Sequence, residues 1–207
     1  FSRKRTAINV LKYLEDYSGW KTQQWALRYL EVDLAAFRDP DEMINVHFLS
    51  DLCTLLSRHG FCEDQLRMMG GYSVVTNYDS PLGGEYRKLR HPRHIVEACF
   101  TRYSHLYDSN MLYGIESLDW EKAVIAAPIN PLVQDALGAR LIGGPSYCQT
   151  KSGAFSAFPG YLGLPFANVR ETHCVHRGDP RCLYEIDYSE ASHLLKSKPL
   201  SPEPAWS

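Results

Sequence analysis

Residues 170–186 read RETHCVHRGDPRCLYEI and concentrate the side chains best suited to chemistry. Glu171 and Cys174 stand three apart, a short turn follows, and Cys182 opens the next apolar stretch. A tight turn would bring the two thiols together with a carboxylate one step behind. Cys148 is the other cysteine in the second half of the chain and the natural fourth member. Three thiolates and one carboxylate suit zinc, and four protein ligands would close its coordination sphere, which marks a structural site rather than a catalytic one. The same spacing also admits a Cys174–Cys182 disulfide, unrelated thiols, or His176 in place of Glu171. His173 is disfavoured, because alternation along a strand turns it away from Cys174.

The elements that must position these residues follow from period and punctuation. Phe166–Cys174 and Arg181–Tyr188 read as two strands of a hairpin closed by His176, Arg177, Gly178, Asp179 and Pro180. Two earlier strands, Met111–Leu118 and Lys122–Ile129, are joined by a turn at Asp119. Asn130 and Pro131 start a helix over 132–141, GGPS breaks it, and a further helix is expected over 147–158. Upstream the chain is helical. Ile8, Leu11, Leu14 and Tyr17 share one face, and a second helix spans 23–37. Asp39, Pro40 and Glu42 predict the start of a third helix ending at Gly60. Residues 70–84 read as turns, and Pro92 precedes a helix over 94–107. The order of helices, two strands, a helix and two strands predicts an α+β fold with a small antiparallel sheet packed on helices. The expected division is an N-terminal helical segment at 1–65, a ligand-sensing domain at 66–190 and a proline-rich linker at 191–207.

With 207 residues, 44% hydrophobic and 22% charged, the chain can bury a substantial core. A formal net charge of −2 gives no support to direct nucleic-acid binding, and the basic cluster Arg87, Lys88, Arg90 and Arg93 reads as a solvated loop. No stretch reaches the ~20 apolar residues that a membrane span requires. Six cysteines are too few for a disulfide scaffold, so a reducing, cytoplasmic setting is expected. Cys53, Cys62 and Cys99 read as small core hydrophobes. The start at Phe1 and the exit KSKPLSPEPAWS suggest a piece of a longer protein, with an output domain on the same polypeptide.

From Cys148 through Ile186 the sequence resembles the end of the 4-vinyl reductase domain family, above all the sensor domains of phenol- and xylene-responsive transcription activators. Cys148, Gly153, Glu171, Cys174, Gly178 and Cys182 carry the resemblance across about forty residues. It implies that Cys148, Glu171, Cys174 and Cys182 bind zinc. It also implies a fold shared with subunits of vesicle-transport particles, a homodimer, and an apolar pocket for a small apolar or aromatic molecule. The His and Trp that hold the ligand hydroxyl in those relatives would fall near Cys99 and Ala127, so this sequence departs from the family there.

The pocket itself is expected to be mostly apolar with few polar anchors. Phe100, Tyr103, Tyr113, Tyr147, Phe155 and Phe158 are candidates for its lining, His105 is the leading polar anchor, and Tyr161 and Trp120 come next. The function expected on these grounds is a zinc-containing, small-molecule-sensing regulatory domain, and not an enzyme. No nucleotide-binding glycine loop or recognisable catalytic triad supports a tetrapyrrole reductase or lyase. A haem-based gas sensor, with one of eight histidines as axial ligand, and a protein-interaction module are the remaining alternatives.

Overall fold

A computed structural model describes residues 2–197. The tail 198–207, and with it most of the expected proline-rich linker, lies outside the described residues. The chain opens with a two-residue strand, β1 (Ser2–Arg3), and helix α1 (Lys4–Tyr13), which runs on through a π-turn at Leu14–Ser18. Helix α2 (Trp20–Tyr29) follows, and β2 (Met43–Ile44) returns to pair antiparallel with β1.

The third helix starts later than its sequence signals suggest. Asp39 accepts from the Asp41 amide in a turn, while Arg5 grips the Asp41 carboxylate at 2.8 and 3.0 Å and Lys4 pairs with Glu42. Residues 41–44 are thereby tied to the N-terminus. Helix α3 (Val46–Arg58) begins instead at Asn45, whose side chain accepts from the His47 amide.

Helix α4 (Glu63–Gly71), α5 (Ser73–Thr76) and α6 (Pro81–Arg87) occupy the stretch read from sequence as turns. Gly70 does not break α4, because its role is close approach. Helix α7 (Pro92–Ala98), a π-turn at Cys99–Tyr103 and α8 (Ser104–Tyr107) form one continuous rod. Strands β3 (Gly114–Leu118) and β4 (Lys122–Ala127) make the first hairpin. Helix α9 (Pro131–Leu137) ends at left-handed Gly138, and α10 (Pro145–Ser156) precedes the second hairpin, β5 (Asn168–His173) with β6 (Cys182–Asp187). Helix α11 (Ser189–Ser197) closes the described chain, where the sequence suggested an irregular linker.

The four long strands form one antiparallel sheet in the order β3-β4-β6-β5. This is the α+β architecture with a small antiparallel sheet that the element order predicts. Two hydrophobic cores result. One unites α1, α2, α3 and α4 through residues such as Val10, Leu14, Leu49, Leu52 and Leu56, and the other lies between the sheet and α7, α10 and their neighbours through Ile95, Ile125, Phe155, Tyr184 and Ile186. Helix α10 serves both, with Tyr147 in the first core and Cys148 and Phe155 in the second. It is buried nearly all round.

Helices α4 and α10 pack against each other more extensively than any other pair of described helices. A Cβ on Gly70 would stand 1.8 Å from the Thr150 carbonyl oxygen, and one on Gly153 would stand 1.8 Å from the Arg67 carbonyl oxygen. Each glycine therefore admits the other helix's backbone. Among the described residues no helix is long and apolar enough to cross a membrane.

Candidate functional site

Two sites meet on α10. The first is a cavity of about 140 Å³ between the helical lobe and the sheet lobe. Thr6 and Asn9 of α1 face it from one side, Phe100 and Ser104 from the α7–α8 rod, and Thr150, Lys151 and Ala154 from α10. The π-turn at Cys99–Tyr103 lies in its wall, where a widened helical turn changes the rotational phase of the residues that follow. Its aromatic surface packs mostly edge to face: Phe100 with Phe155 at 5.1 Å between ring centroids, Phe100 with Phe158 at 5.9 Å, and Tyr86 with Tyr161 at 5.2 Å.

A buried ion pair interrupts that aromatic wall. Lys151 Nζ lies 2.7 Å from Asp108 Oδ2, and both side chains are only 10% exposed. The Tyr113 hydroxyl donates to the same carboxylate oxygen at 2.8 Å, while the amide and side-chain nitrogens of Asn110 donate to Oδ1 at 3.0 and 2.7 Å. Burial alone would raise the Asp108 carboxyl, but the Lys151 charge and these hydrogen bonds hold it below its ordinary value. Burial would likewise lower the Lys151 ammonium, and Asp108 raises it instead. The ammonium also lies over the rings of Tyr147 and Tyr113, at 4.8 and 5.6 Å.

Of the residues expected to line a pocket, the structure brings Phe100, Tyr113, Tyr147, Phe155, Phe158 and Tyr161 to this cavity. Tyr103 packs edge-on to Tyr86 and borders a separate surface groove. His105 is exposed and Trp120 is 52% exposed, and neither reaches the wall. Trp120 covers Arg93 and stacks edge-on with His91 at the far end of the sheet. Asp108 and Lys151, the strongest polar pair of the cavity, are not singled out by sequence reasoning. The available signal is slight: a lysine in the polar run QTKS of the helix expected over 147–158.

The second site gathers Cys148, Glu171, Cys174 and Cys182, whose sulfur and carboxylate atoms all lie within 4.8 Å of one another. Cys148 and Cys174 sulfurs are 3.9 Å apart. Strict alternation would put Glu171 and Cys174 on opposite faces of β5. A register shift between Glu171 and His173 lets Thr172 bulge outward and returns both to the inner face. Both Glu171 carboxylate oxygens are buried without a hydrogen-bond partner. His176 stands apart, half-buried beside Gly143, and is held below its usual value by burial and then by the Lys151 charge. The hydrogen bond between Cys148 and Cys182 lowers Cys182 to about 7, and hydrogen bonds from Cys174 and Cys182 raise Cys148. All six cysteines are free.

No family model matches the chain, and no curated protein matches its sequence. Solved structures do match. A Fe(II) unliganded H-NOX protein mutant (A71G) from K. algicida superposes with a TM-score of 0.63 at 10% identity, over 89% of this chain and 95% of that one. An H-NOX protein from S. oneidensis in the Fe(II)NO state gives 0.63 at 11% identity, over 89% and 98%. An oxygen-binding H-NOX domain related to soluble guanylate cyclases gives 0.59 at 11%, over 96% of both chains. This chain has the H-NOX fold.

That likeness corrects the expectation drawn from the sequence. The H-NOX fold, matched across nearly the whole chain, replaces the 4-vinyl reductase assignment, and the neighbours are haem proteins rather than zinc-containing sensors. Zinc as the cofactor that defines this domain, and the zinc-sensor function built on it, are withdrawn. The forty residues that carried the resemblance form α10 and the second hairpin, a small part of the span that the superpositions cover.

Proposed function

We propose that this chain is a sensing domain rather than a catalytic one, built on the H-NOX fold and reporting the occupancy of the cavity between its two lobes. The observation that carries this reading is the cavity's position: α1 of the helical lobe and α10 and the α7–α8 rod of the sheet lobe share its wall. An occupant touches both lobes, so it can bind one arrangement of them better than another and shift the balance by that difference in affinity. An output module on the same polypeptide, or a second copy of the chain, would read the shift.

The neighbours are described as iron-containing and as binding oxygen or nitric oxide, which supports a small ligand here. Haem itself does not fit these residues. Its iron takes an axial histidine, cysteine thiolate, methionine or tyrosinate. Among the described residues, no histidine or methionine lines the cavity. Cys99 does, but burial pushes its thiol up to about 12 and it is hydrogen-bonded to Tyr86. Burial also raises the lining tyrosines Tyr86, Tyr107, Tyr113, Tyr147 and Tyr161. At about 140 Å³ the space matches a benzene-sized guest rather than a porphyrin. Titrating toluene into ¹⁵N-labelled protein should shift amide resonances of Thr6 and Asn9 in α1 together with Thr150 and Ala154 in α10. Shifts confined to one lobe, or none at saturation, would sink the sensing reading.

The thiol–carboxylate cluster supports a second, independent reading, as a site for a thiophilic metal ion. Its support is Glu171, a buried carboxylate whose oxygens have no partner in the protein. The sign of one stability change decides it. With a bound cation, Glu171→Gln removes a ligand and lowers the thermal midpoint. Without one, no ligand is lost and the thermal midpoint should hold or rise.

A further inference from the structure

We propose that the chain's own C-terminal segment, residues 198–204, docks across the start of α7 on the exposed side of Trp120. The contact lies at the far end of the sheet and holds whatever occupies the cavity.

The surface at that end has donors to spare and no acceptors for them. Trp120 is 52% exposed yet fixed in place, with the Arg93 guanidinium 4.8 Å from its ring centroid and the His91 and His94 rings edge-on at 5.0 and 5.8 Å. An aromatic side chain that is already fixed loses little freedom when a partner covers it. Arg93 Nε is buried without a hydrogen-bond partner. Among the described residues neither Arg90 nor Arg93 makes an ion pair. The carboxylates of this end are committed elsewhere. Asp119 accepts from the amides of Glu121 and Lys122, both at 2.7 Å, Glu121 pairs with His193 and Lys196, and Asp187 pairs with Lys122. An incoming chain must therefore bring acceptors and negative charge, and an apolar edge for the indole.

Residues 198–204 read KPLSPEP and meet that demand. Proline has no N–H, so Pro199, Pro202 and Pro204 each offer a carbonyl acceptor and no donor. Each proline also fixes its own φ and biases the residue before it toward extended backbone, so the sequence favours polyproline II. Residues three apart share an edge of that helix, which would put Pro199 and Pro202 together against the indole. Proline-rich segments of this spacing dock on aromatic-lined surfaces in this way. Glu203 is the one carboxylate of the segment and the match for the two arginines.

The exit of the described chain favours this occupant over others. The Ser192 hydroxyl of α11 donates to the Trp120 carbonyl at 2.7 Å, and Lys196 pairs with Glu121 at 3.1 Å. The segment therefore starts beside the surface, and at ~3.1 Å per residue Glu203 reaches up to about 19 Å from Ser197. A tether this short gives an effective concentration in the millimolar range, enough to hold a weak contact closed. The docked segment would brace the α7–α8 rod at the end opposite Asp108.

Nitrogen-15 spectra of the full chain, read at Trp120 Nε1–H and Arg93 Nε–H, test the contact. Pro199→Ala, Pro202→Ala and Pro204→Ala are combined in one variant, which alters no residue of the described fold. Exchange of the Arg93 Nε–H with water is expected to be ~10-fold slower in the wild type than in this variant, and the Trp120 indole resonance to differ between them. Glu203→Gln should lose part of that protection, about two- to fivefold. In a Trp120→Ala background the proline substitutions should make no difference at Arg93. Equal exchange and an unchanged indole resonance in wild type and triple variant would overturn the inference. So would a difference that fades on dilution, the mark of a second copy's tail, or one that survives in Trp120→Ala. Neither readout involves the cavity, so this contact and the sensing reading fail separately.

Discussion

Gly153→Ala is expected to destabilise the protein by at least about 3 kcal/mol, which for a domain of this size lowers Tm by roughly 6–12 °C. Alanine ordinarily favours a helix interior over glycine by about 1 kcal/mol, so the expected sign is the reverse of the propensity rule. The cause is steric: the new methyl would sit 1.8 Å from the Arg67 carbonyl oxygen and 2.6 Å from its carbon, and neither is the end of a flexible side chain. Helices α4 and α10 would have to separate, and the separation would pull Thr150, Lys151 and Ala154 away from the cavity they line. Gly70→Ala should behave alike, against Thr150. Gly84→Ala, where a Cβ would meet nothing within 4 Å, is the control and should be neutral or stabilising. Thermal unfolding followed by circular dichroism reads all three. A Gly153→Ala protein as stable as wild type would mean that the crossing is looser than described.

Lys151→Met is expected to cost about 3–5 kcal/mol, because it leaves the Asp108 carboxylate buried without its counter-charge. Pairing it with Asp108→Asn should recover most of that loss, since two neutral groups of similar size carry no desolvation penalty of this kind. The pH dependence follows from the same pair. Asp108 is held below its ordinary value in the folded protein. Its contribution is therefore complete above the unfolded-state value, about 3.9, and is lost as pH falls through the lower folded-state value. Lys151 is raised, so its contribution persists past the ordinary lysine value of about 10.4 and fails only in strong alkali. Between about pH 5 and 9 the pair contributes no slope. Denaturant unfolding from pH 6 down to pH 3 should show a shallower acid loss in the double variant than in wild type. Identical acid limbs would show that the pair adds nothing net.

Much of the architecture is legible in the sequence, and the exceptions share a physical cause. Both long hairpins, the proline-started helices at Pro92 and Pro131 and the order of elements follow from period and turn chemistry. Asp39 and Pro40 mislead because local capping signals lose to the long-range ion pairs that Arg5 and Lys4 make with Asp41 and Glu42. Gly70 misleads because a glycine used for backbone approach between helices carries the same letter as one used for a turn. The aromatic part of the cavity is readable, as Phe100, Tyr113, Tyr147, Phe155 and Tyr161 show. Its polar anchor is not, because Lys151 sits in the polar run QTKS of a helix with no dry-to-wet gradient around its circumference. Period analysis needs such a gradient. The four residues of the thiol cluster are brought together only because β5 bulges at Thr172, a one-residue irregularity that alternation does not anticipate. The assignment to a family fell furthest from the outcome. It rested on the hairpin and α10, whereas the H-NOX likeness is carried by the whole chain at about a tenth of identical residues.

The π-turn at Cys99–Tyr103 gives the rod beside the cavity a dependence on residue count as well as residue type. A regular helix advances about 100° per residue. A π-turn uses one residue more than the α-turn it replaces. Deleting a single exposed residue there, such as Thr101, should therefore restore an ordinary α-helical pitch while Ser104, Tyr107 and Asp108 keep their places beside Lys151. Deleting a residue from the regular turns of α7 would instead swing everything downstream by about that angle and carry Asp108 off Lys151. The rod thus carries its own slack: at this turn, and not elsewhere along it, one residue of length can be lost without changing which side chains face the cavity.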